Sequence, residues 1–300
     1  NRPFWYRTEF ELPASYSKGR RVWLHFDNTN RYADFYFNGE KISGTKTSTK
    51  DVSGHMIRSK FDVTDMIKKS GKNAVAVLIT DPDQKKTRKA TDPYGVACSP
   101  SYLAGAGWDW IPYIPGRLAG ITGNTYLTIT GDVIMEDPWV RSDLPTLQKA
   151  EISISTDIKN TSSSPKRVVV SGVIQPGDIS FSKDFQIEGE ATSKVSINKD
   201  EFTQLVIDNP KLWWPNGYGE PNLYTCKLTC SVDGEVSDEK EVSFGIKKYE
   251  YKMVDNLVGY PVLTFFVNGQ KVFVKGGNWG MSEYLLRCQG KEYETKIRLH

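Results

Sequence analysis

Residues 264–279 read Thr-Phe-Phe-Val-Asn-Gly-Gln-Lys-Val-Phe-Val-Lys-Gly-Gly-Asn-Trp, and the fold of the chain turns on how they are read. Asn268-Gly269 separates two β-prone runs, and Asn-Gly tolerates the positive φ angles that a two-residue type I′ hairpin demands. The spacing predicts a hairpin whose second strand, Val272-Phe273-Val274, is buried and runs into the turn Gly276-Gly277-Asn278-Trp279. Ser282 to His300 then reads as a helix, with Ser282 as its cap and Glu283 in its first turn. A buried strand, a polar turn at its C-terminal end and a helix are how a (β/α) barrel begins. Such a barrel needs roughly 250 residues, whereas after Gly277 the 300-residue sequence holds room for one helix.

Upstream, apolar and polar residues alternate as in short strands. These are Trp5 to Leu12, Arg21 to Phe26, Ala33 to Phe37, Glu40 to Ile42 beyond the turn Asn38-Gly39, Ser59 to Val63, and the apolar Asn73 to Ile79. Thr64 to Lys68 reads as a short helix or turn. Pro, Gly or Asn/Asp clusters cut the strands apart, and helical periodicity hardly appears, so this half reads as a β-sandwich or jelly roll. A long loop, Asp92 to Gly123, interrupts it with Gly107-Trp108-Asp109-Trp110-Ile111-Pro112-Tyr113-Ile114-Pro115-Gly116-Arg117. Loops of that length are usually functional or disordered, and three aromatics within six residues speak against disorder. Two readings stand: Trp108 and Trp110 fill a gap between domains, or they form a sugar platform. In the second, an indole offers its flat face to a pyranose ring and Asp109 accepts hydrogen bonds from the hydroxyls.

Asp132 to Leu147 reads as a linker into a second all-β unit. Its strands include Ala150 to Ile158, Lys166 to Gln175, Lys194 to Ile197, Gln204 to Ile207, Leu223 to Val232 and Glu239 to Phe244. Turn chemistry lies at Thr161 to Pro165 and at Val232-Asp233-Gly234-Glu235-Val236. Six or seven strands with no disulfide framework fit an immunoglobulin-like sandwich. Asn209 to Pro221, with Trp213 and Trp214, reads as a rigid, buried connector.

The composition is that of an ordinary globular protein: 38% hydrophobic, 25% charged, net charge +3. That charge is too small and dispersed for a nucleic-acid partner, and the basic run Lys85 to Lys89 reads as a solvated loop. No run of about 18 apolar residues offers a membrane span, and Asn1-Arg2-Pro3 does not open a secretory leader. Cys98, Cys226, Cys230 and Cys288 form no CxxC pair and read as small buried hydrophobes. In one strand Cys226 and Cys230 stand about 13 Å apart, too far to bridge. No acidic cluster requires an ion, no cofactor is expected, and nothing sets an oligomeric state.

Four stretches carry a resemblance. Phe4-Trp5-Tyr6-Arg7-Thr8-Glu9-Phe10 and Ala33-Asp34-Phe35-Tyr36-Phe37-Asn38-Gly39 look like the first domain of glycoside hydrolase family 2. Asn209-Pro210-Lys211-Leu212-Trp213-Trp214-Pro215-Asn216-Gly217-Tyr218-Gly219 is similar to the signature of its second domain, and Phe266 to Trp279 to its barrel entrance. The resemblance implies an all-β fold with the start of a barrel. A jelly-roll sugar-binding domain would span 1–134, an immunoglobulin-like β-sandwich 135–247, and the first strand and helix of a truncated TIM barrel 248–300.

It also implies a retaining exo-acting β-glycosidase whose two catalytic glutamates lie beyond His300, so that these 300 residues alone hydrolyse nothing. The partner would be the end of a β-linked oligosaccharide or polysaccharide, and the location periplasmic or secreted. Gly107-Trp108-Asp109-Trp110 resembles the loop by which β-mannosidases and exo-β-glucosaminidases reach over the pocket. On that likeness Trp108, Asp109 and Trp110 contact the sugar, and Asn278 and Trp279 line the pocket. Gly120-Ile121-Thr122-Gly123 departs from the family's usual Gly-Ile-Trp. Glu9, Glu11, Glu283, Glu292 and Glu294 read as surface residues, His25 as part of a strand and His55 as part of a loop. Two other readings are a non-catalytic carbohydrate-binding sandwich and a protein-binding aromatic loop. Residues after Tyr260 are expected to pack on the second sandwich, self-associate or stay disordered, because unpaired strand edges recruit neighbours.

Overall fold

The structure, a computed structural model, describes residues 3–13, 16, 20–43, 52–80, 120–255, 257–277 and 290–299. The chain divides into two compact units, Asn1–Ile129 with Gly277–His300, and Thr130–Gly276.

In the first unit, β1 (Phe4–Phe10), β2 (Arg21–Phe37), β3 (Glu40–Lys41), β4 (Val52–Asp62), β5 (Asn73–Thr80), β6 (Gly120–Ile121) and β7 (Thr125–Thr130) form one sheet. Its order runs β1-β5-β2-β3, with β4, β6 and β7 also paired to β2. Two strands were expected where β2 is continuous, and the reason is a change of parity. Val22, Leu24 and Phe26 face the core at even positions, whereas Thr29, Ala33, Phe35 and Phe37 face it at odd ones. Between the pairs Phe26–Ser59 and Thr29–Ile57, two residues of β2 stand against one of β4, so one extra residue turns every later side chain over. The core gathers Phe26, Phe35, Phe37, Phe61, Val77 and Ile79 with their neighbours. Each such side chain contributes about 1.5–3 kcal/mol on burial. Asn38 (φ 48) and Gly39 (φ 91) make the expected tight turn. Thr64–Met66 is a 3-10 turn, and His55 lies within β4 and not in a loop.

In the second unit, β8 (Val133–Thr146), β9 (Lys149–Asn160), β12 (Thr192–Ile197) and β13 (Val206–Asp208) form one sheet. The order β11-β10-β14-β15 forms the other, from β10 (Lys166–Gln175), β11 (Ile179–Ile187), β14 (Tyr224–Val232) and β15 (Glu235–Phe244). A shared core joins Met135, Ile154, Val170, Phe181, Leu228 and Phe244 with their neighbours. Asp132 to Leu147 is therefore no linker. Val133, Met135, Val140 and Leu144 are core residues, and the side chains of Ser237 and Asp238 accept hydrogen bonds from the amides of Val133 (3.1 Å) and Met135 (2.9 Å). The alternation is masked by Asp137 (φ 47) and Pro138, where two residues of β8 stand against one of β9. β11 also escaped the sequence reading. Cys226 and Cys230 are fully buried and unbridged. Together the units give the all-β, galactose-binding-like and immunoglobulin-like sandwiches that the sequence implies.

The expected barrel entrance looks different. β16 (Tyr249–Asp255), β17 (Pro261–Val267) and β18 (Gln270–Val272) form a three-stranded antiparallel sheet. Asn268 (φ 52) and Gly269 (φ 80) turn its hairpin as predicted. The strand after them stops at Val272, and Phe273 and Val274 stand 73% and 64% exposed instead of buried. No further strand pairs with β18 among the described residues. The helix α1 is described over Gly290–Leu299 and buries no side chain; its proposed cap Ser282 and Glu283 lie outside the described residues.

Candidate functional site

All five residues assigned to sugar contact, Trp108, Asp109, Trp110, Asn278 and Trp279, lie outside the described residues. The structure instead fixes the segments from which they are emitted. The chain leaves the first unit's sheet at Thr80, opposite Tyr32 of β2, and re-enters it at Gly120, opposite Asn30. Residues 81–119, including the Gly-Trp-Asp-Trp segment, thus spring from two positions two residues apart on one strand. Sterics hold the returning foot in place. Gly120 has φ +141, and a Cβ there would stand 2.6 Å from the Tyr6 hydroxyl. A Cβ on Gly123 would stand 2.7 Å from the Asn28 amide nitrogen. Between them, the Thr122 amide donates to the Asn28 carbonyl at 3.0 Å.

The stretch leading to Asn278 and Trp279 is fixed by the Asn209–Pro221 connector. Asn268 at the hairpin tip donates through Nδ2 to the Trp213 carbonyl (3.0 Å), and its Oδ1 accepts from the Lys248 amide (2.9 Å). Tyr218 then accepts from the Phe273 amide through its hydroxyl at 2.8 Å. Trp213 and Trp214 are half-buried, not buried. Gly245 packs against Trp213 and Gly219 against Trp214, while the Lys247 ammonium sits 4.5 Å from the Trp213 ring centroid. The two motifs singled out in the sequence, connector and hairpin, are thus joined by hydrogen bonds. Sequence spacing alone gave no sign of that joint.

Of the glutamates weighed in the sequence, Glu9, Glu11, Glu292 and Glu294 fall within the described residues. Glu9 pairs with Arg7 and Lys72, and the hydrogen bond from Arg7, helped by Lys72, holds its carboxyl below the usual carboxylate range. Glu294 pairs with Arg298 at 2.7 Å on α1, and Glu11 and Glu292 are exposed. The His25 ring stacks on Tyr126 at 4.7 Å, and its Nε2 lies 2.7 Å from the Thr128 hydroxyl, as a strand residue packed across a sheet. Among the described residues no three His, Cys, Asp or Glu side chains converge as metal ligands would, and no helix is long and apolar enough to cross a membrane.

Comparison with known proteins follows the same two units. The family model for the Glycosyl hydrolase 2 galactose-binding domain-like fold matches residues 1–123, and that for Glycosyl hydrolases family 2 matches 133–247. A mannosylglycoprotein endo-β-mannosidase of Lilium longiflorum is 31% identical over 99% of this chain and 31% of its own length. An exo-β-D-glucosaminidase of Streptomyces avermitilis is 29% identical over 99% of this chain and 30% of its own. Among solved structures, the Amycolatopsis orientalis exo-chitosanase shares the fold with a TM-score of 0.74 at 24% identity, over 99% of this chain and 31% of that one. The chain thus spans about three-tenths of the length of these relatives. Matched by family models through both of its sandwiches, the chain belongs to glycoside hydrolase family 2.

Proposed function

We propose that these residues form the two leading β domains of a retaining, exo-acting β-glycosidase that removes terminal mannosyl, glucosaminyl or galactosyl units from β-linked sugar chains. The observation that carries this reading is the match of both sandwiches to one hydrolase family, by relatives about three times as long whose names describe action on β-linked sugars. Retention needs two carboxyl groups about 5–5.5 Å apart, one an acid/base with a raised pKa and the other a nucleophile. Glu9 is shifted the wrong way for the acid, and Glu294 is tied to arginine at the surface. The pair is assigned to residues beyond His300. The role of this chain is to present Trp108, Asp109 and Trp110 from one sheet, and Asn278 and Trp279 from the seated hairpin, to the terminal sugar.

The test compares residues 1–300 with the protein extended through its reading frame, on chromogenic β-mannoside, β-glucosaminide, β-galactoside and β-glucuronide. Activity is expected in the extended protein alone, and the active substrate names the sugar. Silence from both would favour a carbohydrate-binding sandwich. Release of internal oligosaccharides from a polymer would replace exo with endo action, as the name of the lily relative describes for that enzyme.

A further inference from the structure

On the outer face of the first unit's sheet, β5 runs between β1 and β2, and its outward side chains opposite Glu9 and Arg7 are only Ala74 and Ala76. The flanking strands stand about 9–10 Å apart and carry long side chains: Trp5, Arg7 and Glu9 on one bank, Tyr36 on the other. Two small residues between two tall banks leave a trough of about 680 Å³, within the roughly 300–1,000 Å³ of small-molecule sites. Trp5 and Tyr36 reach across the middle strand to close one end, with ring centroids 5.3 Å apart and planes tilted by 54°. Trp5 nonetheless remains 57% exposed. The indole is thus held in place with much of its face open to solvent.

The polar groups narrow the choice. Arg7, Lys68 and Lys72 line the trough against the single carboxylate of Glu9, which Arg7 and Lys72 already engage. The Asp34–Lys41 pair beside it, at 2.7 Å, is self-neutralising. A net cationic trough with an aromatic end takes a ligand with a flat, partly apolar ring and an anionic group. An ammonium and a guanidinium donate well to carboxylate or sulfate oxygens, and an indole face packs the C–H side of a pyranose. We propose that the β1–β5–β2 face is itself a saccharide site, lined by described residues. It takes an anionic sugar unit, a uronate or a sulfated hexose, seated on Trp5 with its charge toward Arg7, Lys68 and Lys72. This site requires no catalytic activity of the chain and stands whether or not the glycosidase reading holds.

Isothermal titration of residues 1–300 with trigalacturonate, a κ-carrageenan tetrasaccharide, maltotriose and inorganic sulfate tests it. The first two separate carboxylate from sulfate recognition, and binding of at least one is expected, with maltotriose and free sulfate at least about tenfold weaker. Trp5→Ala should weaken binding about tenfold, Trp5→Phe should restore part of it, and Lys68→Ala should weaken it and flatten its dependence on salt. Trp5 and Lys68 are exposed, and an unchanged thermal midpoint verifies that each variant folds. No heat with either anionic sugar up to about 10 mM, equal binding of maltotriose, or indifference to Trp5→Ala would overturn the proposal. The last would mark a bare ion-exchange surface.

Discussion

Cys226 and Cys230 show how one side chain can report on a whole sandwich. Both point from β14 into the core, and burial pushes each thiol up to about 12 from an ordinary 9, with the Asp238 charge adding to the effect at Cys230. A thiol that stays protonated is a poor nucleophile. In the native protein, peptide mapping after iodoacetamide treatment at pH 8 should find both unlabelled, with full labelling after denaturation. The same shift has a direction in stability. Between pH 9 and about 12 the unfolded thiols release protons that the folded ones keep, so the folded state binds more protons and loses stability as pH rises. Their contribution is fully present below pH 9. Urea titrations of the second unit at pH 8 and pH 10.5 should show the decline. Replacing both cysteines with alanine should make it shallower, and an unchanged slope would refute the attribution.

At the scale of elements, the sequence was readable where chemistry is local and unreadable where it depends on a partner strand. Asn38-Gly39 and Asn268-Gly269 announced their turns because few other dipeptides accept positive φ at both positions. β8 reads as a linker in sequence because an extra residue at Asp137-Pro138 breaks its period of two, and only β9 reveals that the strand continues. The break in β2 has the same cause. Trp5, Tyr36 and the alanines between them could not be connected in advance, since β1 adjoins β5 and β5 adjoins β2, an order that alternation does not encode. The parity change in β2 predicts a severe effect from a small lesion. Inserting one alanine after Ala33, where β2 pairs with β5 without interruption, turns Phe35 and Phe37 toward solvent. Amide hydrogen exchange should then lose protection across β1, β2 and β5 while β9, β10 and β14 keep theirs. Intact protection in β5 would show that the register re-forms.

At the scale of the molecule, each unit owns a core, with the cluster around Phe35 and Phe61 in one and that around Ile154 and Leu228 in the other. Residues 130–276 expressed alone should therefore unfold in a single cooperative transition, with the β16–β18 sheet protected where Asn268 and Tyr218 tie it to the connector. A molten, ANS-binding product would show that the first unit is needed for the second to fold. The five assigned sugar contacts belong to the other side of the ledger. The sequence suggested them by likeness, and the structure fixes the strands that launch them without describing the residues themselves.

The two feet of residues 81–119 carry a consequence for how such a chain can vary. Because Thr80 and Gly120 leave and rejoin the sheet beside Tyr32 and Asn30, the ends of this insert meet whatever its length. Closing a flexible loop between fixed ends costs only about 0.6 kcal/mol more for each doubling of its length. The insert is in effect an exchangeable cassette. Its length and sequence can change at little thermodynamic penalty, while Gly120 and Gly123, wedged against Tyr6 and Asn28, keep the socket unchanged.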